Sequence, residues 1–218
     1  MFQMILYTQW KWSRLIVGLG TVAAFALPII SVQGAARAGR NPAATLDLLQ
    51  AMQSWGVLYP VLAAALGLLV AITTWAPDHR GRHVYALSLP VPRWRYVLLR
   101  FGAGLVLLAA PALALLSSSL LATASATLPA GLQAYPVALA LRFALAVILA
   151  YAVFFAVSAG TQRTAAIILS VIGGLIAVQV IARVANVDLD LLAWGQVAIL
   201  NWPGPLAIFT GRWMLIDV

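Results

Sequence analysis

The chain has 218 residues, of which 64% are apolar and only 8% charged, against roughly 45–50% and 25% in soluble domains. So few ionisable groups cannot cover a soluble globule of this length, so lipid must be the solvent for most side chains. Thirteen basic residues stand against five acids, all Asp, for a formal charge of +8, and the lack of Cys excludes disulfides and thiolate chemistry.

A helix crossing the hydrocarbon core needs about 20 apolar residues and tolerates charges only near its ends, so the charges serve as rulers. Phe2 to Arg14 comes first. Helical spacing puts Gln3, Tyr7, Lys11 and Arg14 on one stripe, with Phe2, Ile5 and Trp12 turned away. That pattern predicts an interfacial helix over 1–14, with Trp10 and Trp12 in the headgroup layer and Lys11 and Arg14 against anionic lipid. A span over 15–33 follows. Ala36-Arg37-Ala38 has the form of a signal-peptide cleavage site, but the preceding apolar run is too long for one.

The second span is expected at 55–76. The segment 77–97 then carries both histidines and Arg80, Arg82, Arg93 and Arg95. Within it Val84, Leu87 and Val91 form an apolar edge on a short helix that Pro90 and Pro92 must end. Apolar knobs with a basic rim suit either a groove on a cytoplasmic protein or the surface of a membrane. His79 and His83 are spaced for a shared metal, but Arg80 and Arg82 flank them and Asp78 is the one further ligand nearby, so they read as solvated loop residues.

The uncharged stretch from Phe101 to Leu141 is too long for one span. Ser117-Ser118-Ser119 and Thr127-Leu128-Pro129-Ala130-Gly131 read as loop, which leaves spans at 98–121 and 138–160. A fifth is expected at 164–184, where Ala166, Ser170, Gly173, Gly174 and Ala177 give one face suited to close helix packing. Beyond it, Leu191 to Leu200 runs into Asn201-Trp202-Pro203-Gly204-Pro205, which predicts an external, re-entrant segment over 185–218 or, alternatively, a kinked sixth span. The expected fold is therefore an all-α integral membrane protein, a single transmembrane domain of about five spans, six being possible.

With the N-terminus inside, the inner segments hold Lys11, Arg14, Arg80, Arg82, Arg93, Arg95, Arg100 and Arg163, and the outer ones Arg37, Arg40, Arg142, Arg183 and Arg212. The excess of inner positive charge predicts a cytoplasmic N-terminus. The high basicity is then topological, and nucleic acid is not an expected partner.

The run Asp78, Gly81, Leu87-Ser88-Leu89-Pro90-Val91-Pro92-Arg93-Trp94-Arg95-Tyr96-Val97-Leu98, then Arg100, resembles the permease subunits of type-2 ABC exporters. In that family the corresponding loop is a coupling helix that docks on an ATPase subunit, an amphipathic elbow helix precedes the first span, and short external helices precede the last. The resemblance implies coupling residues at Asp78, Arg80, Arg82, Tyr85, Leu87, Leu89 and Arg93. It also implies a cytoplasmic ABC ATPase partner holding ATP and its magnesium, a second permease copy, and residence in the cell inner membrane. Two features depart from the family: Asp rather than Glu before the coupling segment, and a chain that stops where a sixth span would begin.

Reactive groups for enzymatic work are missing: there is no Glu, no imidazole within a span, and no G-x-x-x-x-G-K-[ST] phosphate loop. The chain is thus expected to be no enzyme and to hold no cofactor itself. Mildly polar residues inside the spans, Thr21, Thr73, Tyr151, Ser158 and Gln179, are the candidates for lining a path for apolar or amphipathic cargo. The competing explanation for such hydroxyls is bonding to their own helix backbone. The competing functional class is a non-transporting assembly or sensor subunit whose basic loop binds a protein or anionic lipid.

Overall fold

The computed structural model describes residues 1–38, 55–80, 92–125 and 133–159, with positions 170, 174, 177, 178, 204, 206–210 and 213–217 beyond them. Helix α1 is Phe2–Ala38, α2 Leu58–Arg80, α3 Arg93–Ser125 and α4 Pro136–Ala159. All four are long and apolar enough to cross a membrane, which fits an essentially all-helical membrane protein. They correspond to the first four expected spans. The fifth, over 164–184, is described only at Ser170, Gly174, Ala177 and Val178, each helical.

Two compact units divide the chain, Met1–Phe155 with Arg212–Val218, and Ala156–Gly211. In the second, the described residues include a 3-10 turn at Ala207–Phe209, closed by the Thr210 hydroxyl donating to the Ala207 carbonyl at 2.8 Å. In the first, the helices alternate in direction. Gln9 meets Arg100 and Ala24 meets Ser118, so α1 and α3 run the same way. Ser31 meets Tyr59, and Gly20 abuts Leu66, so α2 runs back. Gly67 lies against Ala150 and Trp75 bonds Phe155, so α4 follows α2.

The buried positions of α1 recur every three or four residues: Gln9, Ser13, Val17, Gly20, Ala24, Pro28 and Ser31. They are mostly small or polar, whereas Leu15, Leu19, Val22 and Phe25 are exposed. This inverts the pattern of a soluble helix. Lipid is as apolar as leucine, so helices associate through close packing of small residues and through polar contacts. Gly67 is a case of necessity: a Cβ there would come within 2.6 Å of the Ala150 side chain and the Tyr151 backbone.

The helices correct two boundaries drawn from the sequence. The serine triplet is not a loop; α3 continues through it to Ser125. Each hydroxyl is satisfied inside the helix, Ser117 on the Ala114 carbonyl, Ser118 on Leu115 and Ser119 on Leu116, at 2.9–3.1 Å, so serine costs the helix little here. Secondly, residues 2–14 and the span after them form one uninterrupted helix, α1. Gln3, Tyr7, Lys11 and Arg14 are exposed, but so are Phe2 and Trp12 on the opposite side, with Ile5 half-buried.

Candidate functional site

Two charges meet where α2 ends and α3 begins. Asp78 is 3% exposed and Arg100 5%, and Arg100 Nη1 lies 2.9 Å from Asp78 Oδ2 while its Nη2 donates to Oδ1 at 3.2 Å. The two-pronged guanidinium matches the carboxylate's geometry. The same Nη1 donates to the Thr74 carbonyl at 2.7 Å.

Helical spacing supplies the rest. Tyr96, one turn before Arg100, places its hydroxyl 3.3 Å from both Asp78 oxygens. Its ring centroid is 5.0 Å from the guanidinium carbon and that of Trp75 is 5.3 Å away, so aromatic faces cover the cation where lipid would otherwise meet it. From α1, Gln9 Nε2 donates to the Arg100 carbonyl at 3.1 Å, and Ser13 Oγ donates to the Gln9 carbonyl at 2.7 Å. From α4, the Tyr151 hydroxyl reaches the same Arg100 carbonyl at 3.5 Å. Trp75 Nε1 donates to the Phe155 carbonyl at 3.1 Å. All four helices converge on one polar node.

The node needs space for Tyr151, which is fully buried and stacks on Phe101 at 5.2 Å. Gly104 provides it, because any Cβ there would overlap the Tyr151 hydroxyl. Two buried atoms at the node, Arg100 Nε and Gln9 Oε1, have no hydrogen-bond partner among the described residues.

The expected coupling residues separate accordingly. Asp78 turns its carboxylate inward to Arg100. Arg93 is exposed in the first turn of α3. Arg80 is the last residue of α2, its side chain lying outside the described set, while Arg82, Tyr85, Leu87 and Leu89 lie wholly outside the described residues, as do the side chains of His79 and His83.

Among the expected path residues, Thr21 and Thr73 bond back to the Val17 and Val70 carbonyls at 2.7 and 3.0 Å, and Tyr151 belongs to the node. Ser158 is half-buried and Gln179 lies outside the described residues.

In the sequence Arg100 and Tyr96 read as the end of the 78–100 run and Thr74 as a polar span residue, with no motif to tie them to Asp78, and Gln9 and Trp75 carry no signal of their own. A signal was present: opposite charges near the facing ends of consecutive, oppositely directed spans, with Thr74 and Tyr96 one turn from each.

At the other end of the bundle the means differ. Pro28 has no N–H for the Ala24 carbonyl, and the Ser118 hydroxyl approaches that carbonyl at 3.4 Å. Gln133–Ala134 (β1) pairs antiparallel with Ile216–Asp217 (β2), and the Tyr135 N–H donates to the Leu215 carbonyl at 2.9 Å. Trp213, Leu215 and Ile216 are buried. Arg142 lies over the Trp213 ring at 4.5 Å. A Cβ on Gly56 would stand 2.6 Å from the Trp213 carbonyl oxygen.

Comparison with protein-family models, curated proteins and solved structures yields no match to this chain.

Proposed function

We propose that the chain is the membrane-spanning permease subunit of an ATP-driven exporter, moving an apolar or amphipathic substrate with ATP hydrolysed by a separate cytoplasmic ABC subunit. The observation that carries this reading is the position of the polar node. Asp78 and Tyr96 bracket the basic segment 79–95, and their contact through Arg100 fixes the separation of its two ends. A segment held at both ends can pass a push from a docked partner into α2 and α3, and through Gln9 and Tyr151 into α1 and α4. A freely hinged loop would dissipate it.

Further contacts support the finer parts of the reading. Phe2 and Gln9, about two helical turns apart, both approach one turn of α3: a Cβ on Gly102 would be 3.9 Å from Phe2 Cε2, and Gln9 bonds Arg100. Such contacts hold the first turns of α1 against the start of α3, at the end of the bundle where an interfacial elbow would sit. The back-bonded threonines and the filled centre around Tyr151 and Phe143, both fully buried, suit a route between two copies rather than through one. Ser170, Gly174 and Ala177 are exposed, as small residues available for close approach between copies would be. The excess of basic residues at the α1 and α3 starts supports a cytoplasmic side for that end, and the reading takes the cell inner membrane as the protein's membrane. In this reading 185–218 is external.

The test is purification of the tagged chain from its native membrane. An ATPase bearing a Walker motif copurifies in a two-to-two complex, and a Tyr85→Ala, Leu87→Ala double variant weakens that association at least tenfold, since apolar anchors at an interface centre are typically worth about 2 kcal/mol or more each. A complex without any ATPase sinks the reading in favour of a non-transporting membrane subunit.

A further inference from the structure

The helices α1 and α3, which pack side by side and start at the same end, each carry an aromatic–basic triplet near that start: Trp10-Lys11-Trp12 and Arg93-Trp94-Arg95. All six side chains are exposed, as is Arg14. Trp94 is 66% exposed, and Trp10, Trp12 and Trp94 are the exposed tryptophans among the described residues; Trp75 and Trp213 are buried.

Among the described residues the charge at this end is uncompensated. Residues 1–14 and 78–100 contain a single acid, Asp78, and both its oxygens are engaged by Arg100 and Tyr96. Neither α1 nor α3 has an acidic residue in its first turn. Arg93 and Arg95 thus add positive charge to the positive end of the α3 dipole, where anions are favoured. Exposed cations at the positive end of a helix dipole, with exposed tryptophans beside them in the chain, define one chemistry. A soluble acidic partner would leave the tryptophans in water, whereas a phospholipid takes the rings between its headgroups and supplies the phosphate.

We propose that Lys11, Arg14 and Arg95, with Trp10, Trp12 and Trp94, form a collar that binds the anionic headgroups of phospholipids in the leaflet at this end. The collar is distinct from the 79–91 loop and does not rest on the permease reading.

The experiment is native mass spectrometry of the purified full chain offered equal phosphatidylglycerol and phosphatidylcholine. Each cation near an anionic surface contributes about fivefold, so three give a preference for phosphatidylglycerol on the order of a hundredfold, falling steeply with salt. A Lys11→Gln, Arg14→Gln, Arg95→Gln variant binds the two lipids nearly equally, and a charge-conserving Lys11→Arg, Arg14→Lys, Arg95→Lys variant keeps the preference. Equal retention of both lipids by the wild type overturns the proposal however the variants behave, and so does an undiminished preference in the glutamine variant. Displacement by soluble glycerol phosphate overturns it too, by assigning the cations to a free phosphate.

Discussion

Where α1 and α3 begin, the bundle is joined by a buried ion pair, two tyrosines, a glutamine and a tryptophan. Where they end, it is joined by serine hydroxyls on helix carbonyls and by a short backbone pairing over buried apolar side chains. The first arrangement is concentrated around one ion pair: removing the Arg100 side chain leaves the buried Asp78 carboxylate without its counter-charge and the Thr74 carbonyl without its guanidinium donor at once. The second is distributed over weak and partly redundant contacts, none of which leaves a charge behind. An ion pair in a low-dielectric setting contributes little net stability but is costly to halve, so it specifies an arrangement more than it strengthens one. That suits the end at which the basic segment is attached.

The largest expected effect tests this asymmetry directly. Arg100→Met leaves Asp78 buried and unpaired and should cost about 3–5 kcal/mol, whereas Asp78→Asn with Arg100→Met should recover most of that loss. Thermal unfolding in detergent, followed by near-UV circular dichroism, separates the two. A double variant no more stable than the single one would mean that Asp78 is not what Arg100 neutralises.

A smaller loss is expected at the steric support of the node. Gly104→Ala introduces a methyl where the Tyr151 hydroxyl sits, and Tyr151 cannot easily turn away because Phe101 and Phe155 contact its ring. Overpacking of this kind costs about 1–3 kcal/mol. Unchanged stability would show that the Arg100–Tyr151 contact is slack, and α4 would then be tied to the node chiefly through the Trp75–Phe155 bond.

The smallest effects belong to the far end. Ser118→Ala removes the hydroxyl facing the Ala24 carbonyl, and interhelical bonds in membranes average about 0.6 kcal/mol. Ser117→Ala removes an exposed hydroxyl bonded only within α3 and should be neutral by the same unfolding measurement. A loss at Ser118 as large as at Arg100 would erase the contrast between the ends.

The sequence by itself determined that lipid is the solvent and where four long helices lie. Those properties follow from local composition: apolar runs of sufficient length, bounded by charges whose burial is expensive. It did not determine which face of α1 turns inward, because in lipid no hydrophobic contrast marks the packed side, and the buried positions are small or polar while leucines point outward. Nor could it settle the serine triplet, whose hydroxyls suit a loop or a helix equally until their backbone partners are known. Only the tertiary structure decided that Asp78 and Arg100 are partners. Each reads alone as a span-end charge, and their pairing depends on two antiparallel helices bringing residues far apart in the chain to the same depth, with Tyr96, Trp75 and Gln9 closing around them.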